Sequence, residues 1–427
     1  MSNKQSIRST AYYGWVIWGL ASIFYCYEYL LRITPNVMHT EIVSYYGLSA
    51  AGFGNLFAFY YYAYTPLQIP VGVLLDRYSP RLLLTLNCLL CAIGIYICSI
   101  AHVLWVAQLG RFLVGFGSAF AFVGILKLAT LWLPSNRFAL VAGLTTTIGM
   151  LGAMFSENVL TYFVIHIGPR ETLMYSAYFG IILAGVIWLF VRNKPPGTGE
   201  YHNRFTTTNF KSLFMGMILL LLRPQIWICA IIGGILYTSL SVFAELWGKP
   251  YLQDACHLSP EKAAFVVSMV FFGWAIGGPL QGWISDRINN RRVPLIIGSI
   301  IGAISFMLVL YTDSLPVPII AVLLFLFGAA ASAENVAFAF AKETCEKKLS
   351  GSALALTNMF VMLVGTILQP LVGSVLDMVS PDGALVHTAT EYRMALSVIP
   401  VIFIVAAVLG FFLKAIPHKI HVHHHHR

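Results

Sequence analysis

Apolar stretches long enough to form a bilayer-crossing helix recur from one end of this chain to the other. They fall at roughly 12–33, 49–72, 81–101, 104–130, 138–164, 172–191, 225–248, 260–283, 293–311, 316–340, 352–376 and 392–413. At 1.5 Å of rise per residue, each covers a hydrocarbon core about 30 Å thick. Only 10% of the 427 residues are charged and 58% are hydrophobic, whereas a soluble protein carries about a quarter charged residues. The length therefore comes from many membrane spans rather than from several soluble domains, and the expected fold class is an all-α membrane protein with twelve transmembrane helices.

The net charge of +9 raises the question of a nucleic-acid partner, which the position of the bases answers. Nineteen of the 26 lysines and arginines lie at alternate connections between the spans, in clusters around Arg8, Arg77, Arg137, Arg204, Arg291, Lys347 and Lys419. A positive-inside bias accounts for that pattern and places both termini in the cytoplasm, at the inner membrane if the source is bacterial. No nucleic-acid partner is needed. Most of the seven cysteines fall inside apolar segments, and Cys88 and Cys91 of a CxxC read as packing residues rather than as a redox or metal pair. The basic residues Lys4 and Arg8 precede an apolar run too long for a signal peptide, so the first span is expected to direct insertion itself. No metal site or cofactor is expected, and the terminal HVHHHHR is given no role.

The chain also repeats. GVLLDRYSPR closes the second span with Gly72, Asp76, Arg77 and Arg81, and GWISDRINNRR closes the eighth with Gly282, Asp286, Arg287 and Arg291. The polar segment RNKPPGTGEYHNR at 192–204 divides the halves, giving an N-terminal six-helix bundle at 1–191, a central cytoplasmic loop at 192–224 and a C-terminal bundle with its tail at 225–427. Part of 205–223 is expected as an interfacial helix. Repeated halves of this kind place a binding site between them near the bilayer midplane.

GVLLDRYSPR resembles the loop motif between helices 2 and 3 of the major facilitator superfamily, with Ser79-Pro80 as a departure, and RFLVGFGSA at 111–119 is similar to that family's helix 4 motif. The resemblance implies two pseudo-symmetric bundles rocking around a central cavity. GLTTTIGMLGA at 143–153 lacks the Gly-Pro pair of drug antiporters, which points away from multidrug export. Asp76, Arg77 and Arg81, with Asp286 and Arg287 in the repeat, are expected to gate the transition by pairing in one state and parting in the other.

Ionisable residues inside spans are costly and mark function. Here they are Glu28, Arg32, Arg111, Lys127, Glu157, Glu245, Lys249 and Glu334. Glu28-x-x-x-Arg32 on the first span is matched by Glu245-x-x-x-Lys249 on the seventh, and i, i+4 spacing stacks acid and base one turn apart. Two such pairs are expected to face each other across the cavity. YCYEYLLRITPNVM resembles the start of organophosphate and organic-anion transporters, which implies that Arg32 holds the substrate's anionic group and that Lys127 is a second cavity cation. A polar stripe on helix 2, Asn55, Tyr61 or Tyr62, Thr65 and Gln68, is expected to orient a small solute. Arg111 and Glu157 are expected to form a structural ion pair. Glu334 is expected either as a packing carboxylate or as a proton carrier.

These readings converge on a monomeric secondary transporter that moves a small polar organic anion with protons. Arg32, Lys127, Glu245, Lys249, Gln68 and Tyr61 would contact substrate, while protonation of Glu28 would release Arg32. A zwitterionic amino acid or short peptide is the alternative substrate, and a non-transporting receptor is the alternative class. No HExxH or GxSxG supports an enzyme.

Overall fold

The computed structural model describes residues 2–133, 138–193, 210–345, 350–380 and 386–414. Everything regular among them is helical. The first half of the chain comprises α1 (Ser2–Val37), α2 (His39–Tyr46), α3 (Ala50–Arg77), α4 (Pro80–Ile100), α5 (Leu104–Ser118), α6 (Ala121–Trp132), α7 (Phe138–Ile167) and α8 (Pro169–Phe190). The second comprises α9 (Phe210–Leu221), α10 (Pro224–Thr238), a π-helical segment (Ser239–Trp247), α11 (Gly248–Asp254), α12 (Pro260–Arg287), α13 (Arg292–Tyr311), α14 (Val317–Ala331), α15 (Glu334–Glu343), α16 (Ser350–Val379), α17 (Ala389–Leu396) and α18 (Val398–Gly410).

Among the described residues, eleven helical stretches are long and apolar enough to cross a membrane. The twelve expected from sequence differ from these by α3, whose four tyrosines, two prolines, Asn55 and Gln68 dilute its hydropathy. At 28 residues it is nonetheless about 42 Å long. Four spans are interrupted, the last at Ser397 between α17 and α18 and two others at corresponding places. The fourth breaks at Ala119–Phe120 between α5 and α6, and the tenth breaks at Ser332–Ala333 between α14 and α15. The seventh passes through the π-helical segment between α10 and α11. Two further elements depart from the expected pattern: α1 runs through Pro35 to Val37, and the short α2 follows it.

Within the first half, α4 packs on α5 and α8, α3 on α5, and α1 on α6 and α7; in the second, α12 and α13 pack on α14, α13 on α18, and α10 on α15 and α16. The two halves meet through α3 against α16, α7 against α12, and α1 against the π-helical segment. Close backbone approach makes the first of these contacts. A Cβ on Gly373 of α16 would lie 2.2 Å from the Ala50 carbonyl of α3, so only glycine fits there. The ends at which α1, α4 and α7 finish are called the distal side below, and the ends at which α3, α6 and α15 finish are called the terminus side.

Candidate binding site between the halves

Pro35 lacks an N–H, so the helix through it leaves the carbonyl of Leu31 without its i+4 donor. Arg111, entering from α5, donates from Nη1 to that oxygen at 2.8 Å. The guanidinium lies 4.9 Å from the centre of the Phe57 ring and 5.4 Å from that of Tyr60. Tyr60 itself is brought inward by contact between α3 and α5. A Cβ on Gly115 would stand 2.0 Å from the Tyr60 carbonyl, so the helix 4 motif brings the two backbones together.

One turn before Leu31 and one residue after it stand Glu28 and Arg32, both buried. Arg32 Nη2 lies 2.5 Å from Glu28 Oε1, and Nε donates to the same oxygen at 2.8 Å. Nε and Nη2 also donate to the Tyr60 hydroxyl, at 3.1 and 2.9 Å, while Tyr60 donates to Glu28. The rings of Tyr29, Tyr60 and Tyr64 surround the guanidinium with centres 4.7, 5.2 and 5.3 Å from its carbon, the arrangement that cation–π attraction favours.

The second half completes the shell. Arg32 Nη1 donates to the Tyr237 hydroxyl of α10 at 2.6 Å and lies 3.7 Å from Glu245 Oε1. Tyr61 of α3 donates to the other Glu245 oxygen. Glu28 Oε2 and Glu245 Oε1 are buried without a hydrogen-bond donor among the described residues. The site is thus a buried cluster of two carboxylates around Arg32, ringed by tyrosines, with Arg111 on the other side of Tyr60.

Glu245 and Lys249 do not form the expected matching pair. Glu245 lies in the π-helical segment and turns to Arg32 and Tyr61, whereas Lys249 lies in α11 beyond it. Lys249 points to the distal side, where Nζ donates to Thr161 at 2.6 Å and to the Val37 carbonyl at 3.2 Å. Its backbone N–H donates to Asn36 Oδ1 at 2.8 Å, and Asn36 Nδ2 donates to Glu157 Oε1 at 3.0 Å. Lys249 lies within electrostatic reach of Glu157. The expected Arg111–Glu157 ion pair is likewise absent, because Leu31 takes Arg111 and Asn36 takes Glu157.

Other polar contacts join the halves on either side of the cluster. The Asp377 carboxylate at the end of α16 accepts the N–H groups of Ala50 and Ala51 at 2.8 Å each, capping α3. Its negative charge sits at the positive helix terminus. His39 stacks edge-on against Phe53 at 4.5 Å and approaches Trp247 at 6.1 Å. Toward the terminus side, Thr65 approaches Thr366 at 3.4 Å and Asn358 donates to Gln68 at 2.6 Å. Of the expected polar stripe, Tyr61, Thr65 and Gln68 therefore face the other half, whereas Tyr62 turns to Asn55 at an exposed edge.

The remaining candidates lie elsewhere. Lys127, half-buried on α6, is not among the polar partners of Glu28, Arg32 or Glu245. Glu334 is buried at the start of α15, its side chain 3.8 Å from where a Cβ on Gly233 would stand. In the loop motifs, Arg77 is exposed, and Arg81 lies over the Trp188 ring at 4.2 Å. The side chain of Asp76 is outside the described residues, as are Arg137 and Lys347. Arg291 lies 2.5 Å from Asp286 and 2.8 Å from Glu343, while Arg287 covers Trp283 at 5.3 Å. The described partners of both motifs belong to their own halves. Cys88 and Cys91 are free thiols turned to the carbonyls of Gly180 and Val114. A cleft of about 550 Å³ between α1, α7 and α8, lined by Leu30, Phe163, Tyr175 and Phe179 among others, has no charged side chain in its lining.

Sequence reasoning missed Tyr237, Asn36, Thr161 and Asp377. An amide beside a proline in an apolar span is a signal that could have found Asn36. Tyr237, by contrast, is one of 21 tyrosines, and nothing local distinguishes it.

Comparison with known proteins fits this architecture. A family model described as Major Facilitator Superfamily matches residues 17–370 and 248–425. The "Probable galactarate/D-glucarate transporter" of Escherichia coli (strain K12) is 23% identical, over 91% of this chain and 92% of its own. The "Lysosomal dipeptide transporter" of Danio rerio is 25% identical over 69% and 67%. A solved bacterial homologue of the human lysosomal transporter Spinster superposes with a TM-score of 0.75 at 16% identity, covering 94% of this chain and 97% of the other.

Proposed function

The chain belongs to the Major Facilitator Superfamily, whose members are transporters rather than enzymes, and we propose that it moves a small organic anion together with protons by alternating access. The buried Arg32 carries this reading. It lies where the two halves meet, offers a planar donor fork suited to a carboxylate, and is ringed by tyrosine hydroxyls that match a hydroxylated solute. Relatives named as probable transporters of galactarate and D-glucarate and of sulfoacetate support an anionic substrate. Lys127 on α6 is proposed as a second cation along the route, and Gln68 as a polar contact on the terminus side. Glu334, buried with no hydrogen-bonding or ionic partner among the described residues, is proposed to carry protons.

We also read α3 as the twelfth span, giving two six-helix bundles joined by residues 192–224. The basic residues on the terminus side favour a cytoplasmic location for both termini, and the protein is proposed to act as a monomer. In this orientation the Asp377 cap and the Asn36–Glu157–Lys249 contacts close the outer face, and the two loop motifs act as gating elements on the inner one.

The direct test is uptake into proteoliposomes. Radiolabelled D-glucarate or sulfoacetate should accumulate under an inward proton gradient, and Arg32→Ala should abolish both uptake and ligand-induced thermal stabilisation. If neither anion is taken up nor raises the melting temperature, the anionic reading fails. A second reading rests on Glu245 lying 3.7 Å from Arg32: acid and base together suit a zwitterion such as a dipeptide. Competition by alanyl-alanine, lost on N-acetylation, would favour it.

A further inference from the structure

We propose that Glu245 serves as an internal stand-in for the substrate's anionic group, holding its place at Arg32 in the empty carrier and taking a proton whenever substrate displaces it. This deepens the anion–proton reading above and rests on it.

The argument starts from which half supplies each charge. In the first half, Arg32 and Arg111 face a single carboxylate, Glu28. Those three groups sum to one positive charge. The second half brings one carboxylate, Glu245, and with it the enclosed set is neutral. Neutrality matters because a net charge sealed in a dry interior is strongly unfavourable.

The partners of the two acids differ in a way that decides their roles. Both partners of Glu28, Arg32 and Tyr60, belong to its own half and move with it. Both partners of Glu245, Arg32 and Tyr61, belong to the other half. When the halves part, Glu28 keeps its bonds and Glu245 loses all of its own. Glu245 thus makes the contact an external carboxylate would make: it lies against Arg32 Nη1 and accepts from the Tyr61 hydroxyl.

An anion arriving from solution competes for that place. Once it is bound, closing the halves around a carboxylate at Arg32 and ionised Glu245 would enclose one excess negative charge there, and the second carboxylate of a dianion such as D-glucarate takes its own proton from water on the loading side. Another proton from that water forms an O–H bond on Glu245 and removes the excess charge. On the opposite side the anion departs, the O–H bond breaks, the proton returns to water, and ionised Glu245 reoccupies Arg32. The empty carrier can then close and reset. Anion binding and Glu245 ionisation are mutually exclusive at one cation, which is the differential affinity that coupling requires. The ionisable groups facing Glu245 are Glu28, Tyr29 and Arg32 from α1, Tyr61 and Tyr64 from α3, Tyr237 from α10 and Arg111 from α5. Its position makes Glu245, rather than Glu28, the carboxylate whose pairing changes with conformation.

The test uses Glu245→Gln with D-glucarate as probe. In proteoliposomes the variant should retain counterflow exchange at half or more of the wild-type rate, because the substrate supplies the missing negative charge. Gradient-driven net accumulation should fall at least tenfold, and D-glucarate affinity should become independent of pH between 5.5 and 8. Glu245→Asp should restore part of the accumulation. Gradient-driven accumulation at the wild-type level in Glu245→Gln would overturn the proposal. So would a variant with unchanged melting temperature that neither binds nor exchanges D-glucarate.

A second measurement needs no substrate. Empty Glu245→Gln should show faster amide hydrogen exchange than wild type where α1 and α3 meet the second half, and identical exchange there would also overturn the proposal. Absence of D-glucarate uptake by wild-type protein would instead count against the choice of substrate, and the exchange measurement would still decide the role of Glu245.

Discussion

Pro35 and Leu31 of α1 set the chemistry of the centre through one backbone defect. Pro35 frees the Leu31 carbonyl, Arg111 fills the vacancy, and the two guanidiniums flank Tyr60. Replacing Pro35 with Ala supplies an N–H that competes for Leu31. The expected result is a raised KM for D-glucarate, with stability within about 1 kcal/mol of wild type, checked by uptake kinetics and thermal melting together. Arg32→Lys keeps the charge but loses the planar fork and its ring contacts, so affinity should fall roughly tenfold or more, measured by calorimetry. At the distal seal, Asn36 uses both ends of its amide, one on Glu157 and one on the Lys249 backbone. Asn36→Ala leaves a buried carboxylate without its donor and should cost about 1–3 kcal/mol, read from the shift in denaturation midpoint.

At the scale of elements, two devices link the two halves. One is the cap that Asp377 places on the first turn of α3. Asp377→Asn removes the charge and at least one good acceptor, so amides at Ala50 and Ala51 should exchange faster while the amides of α13 are unaffected. The favourable term lost is about 0.3–2 kcal/mol. The other is the π-helical segment, which turns Glu245 toward Arg32 and sends Lys249 to the distal side. Glu245 within it and Lys249 just beyond it make two separate contacts with the first half, one at Arg32 and one at Asn36 and Thr161. Close helix approach matters equally: Gly115→Val would force α3 and α5 apart beside Tyr60, and transport should be lost even where the protein still assembles in the membrane.

For the whole molecule, acid should loosen the contact between the halves from the distal end. Burial, with a smaller effect from His387, holds His39 down to a pKa of about 3, so it folds neutral beside Phe53 and Trp247. The unfolded chain binds this proton near pH 6.5. Stability is therefore fully present above about pH 6.5 and falls as the pH drops toward 3, by about 1.4 kcal/mol per unit from this one group. Thermal melting of detergent-solubilised protein from pH 7.5 to 4.5 should show the decline, and His39→Phe should flatten it.

The amino-acid sequence by itself determined the all-helical membrane architecture, because span length and hydropathy are local properties that a bilayer reads directly. It also marked which residues are costly inside a span, and Glu28, Arg32 and Glu245 do meet at the centre. Partners were decided only by tertiary structure. Regular i, i+4 spacing predicts a Glu245–Lys249 pair, but partners in the other half, Arg32 and Tyr61 for Glu245 and Thr161 for Lys249, divert both. Adjacency of spans predicts Arg111 with Glu157, but a proline-freed carbonyl and one amide divert them. Which half supplies each partner is not written in any local pattern, since it depends on how two separately packed bundles meet, and that distinction separates the fixed carboxylate, Glu28, from Glu245, whose partners all lie on the other side.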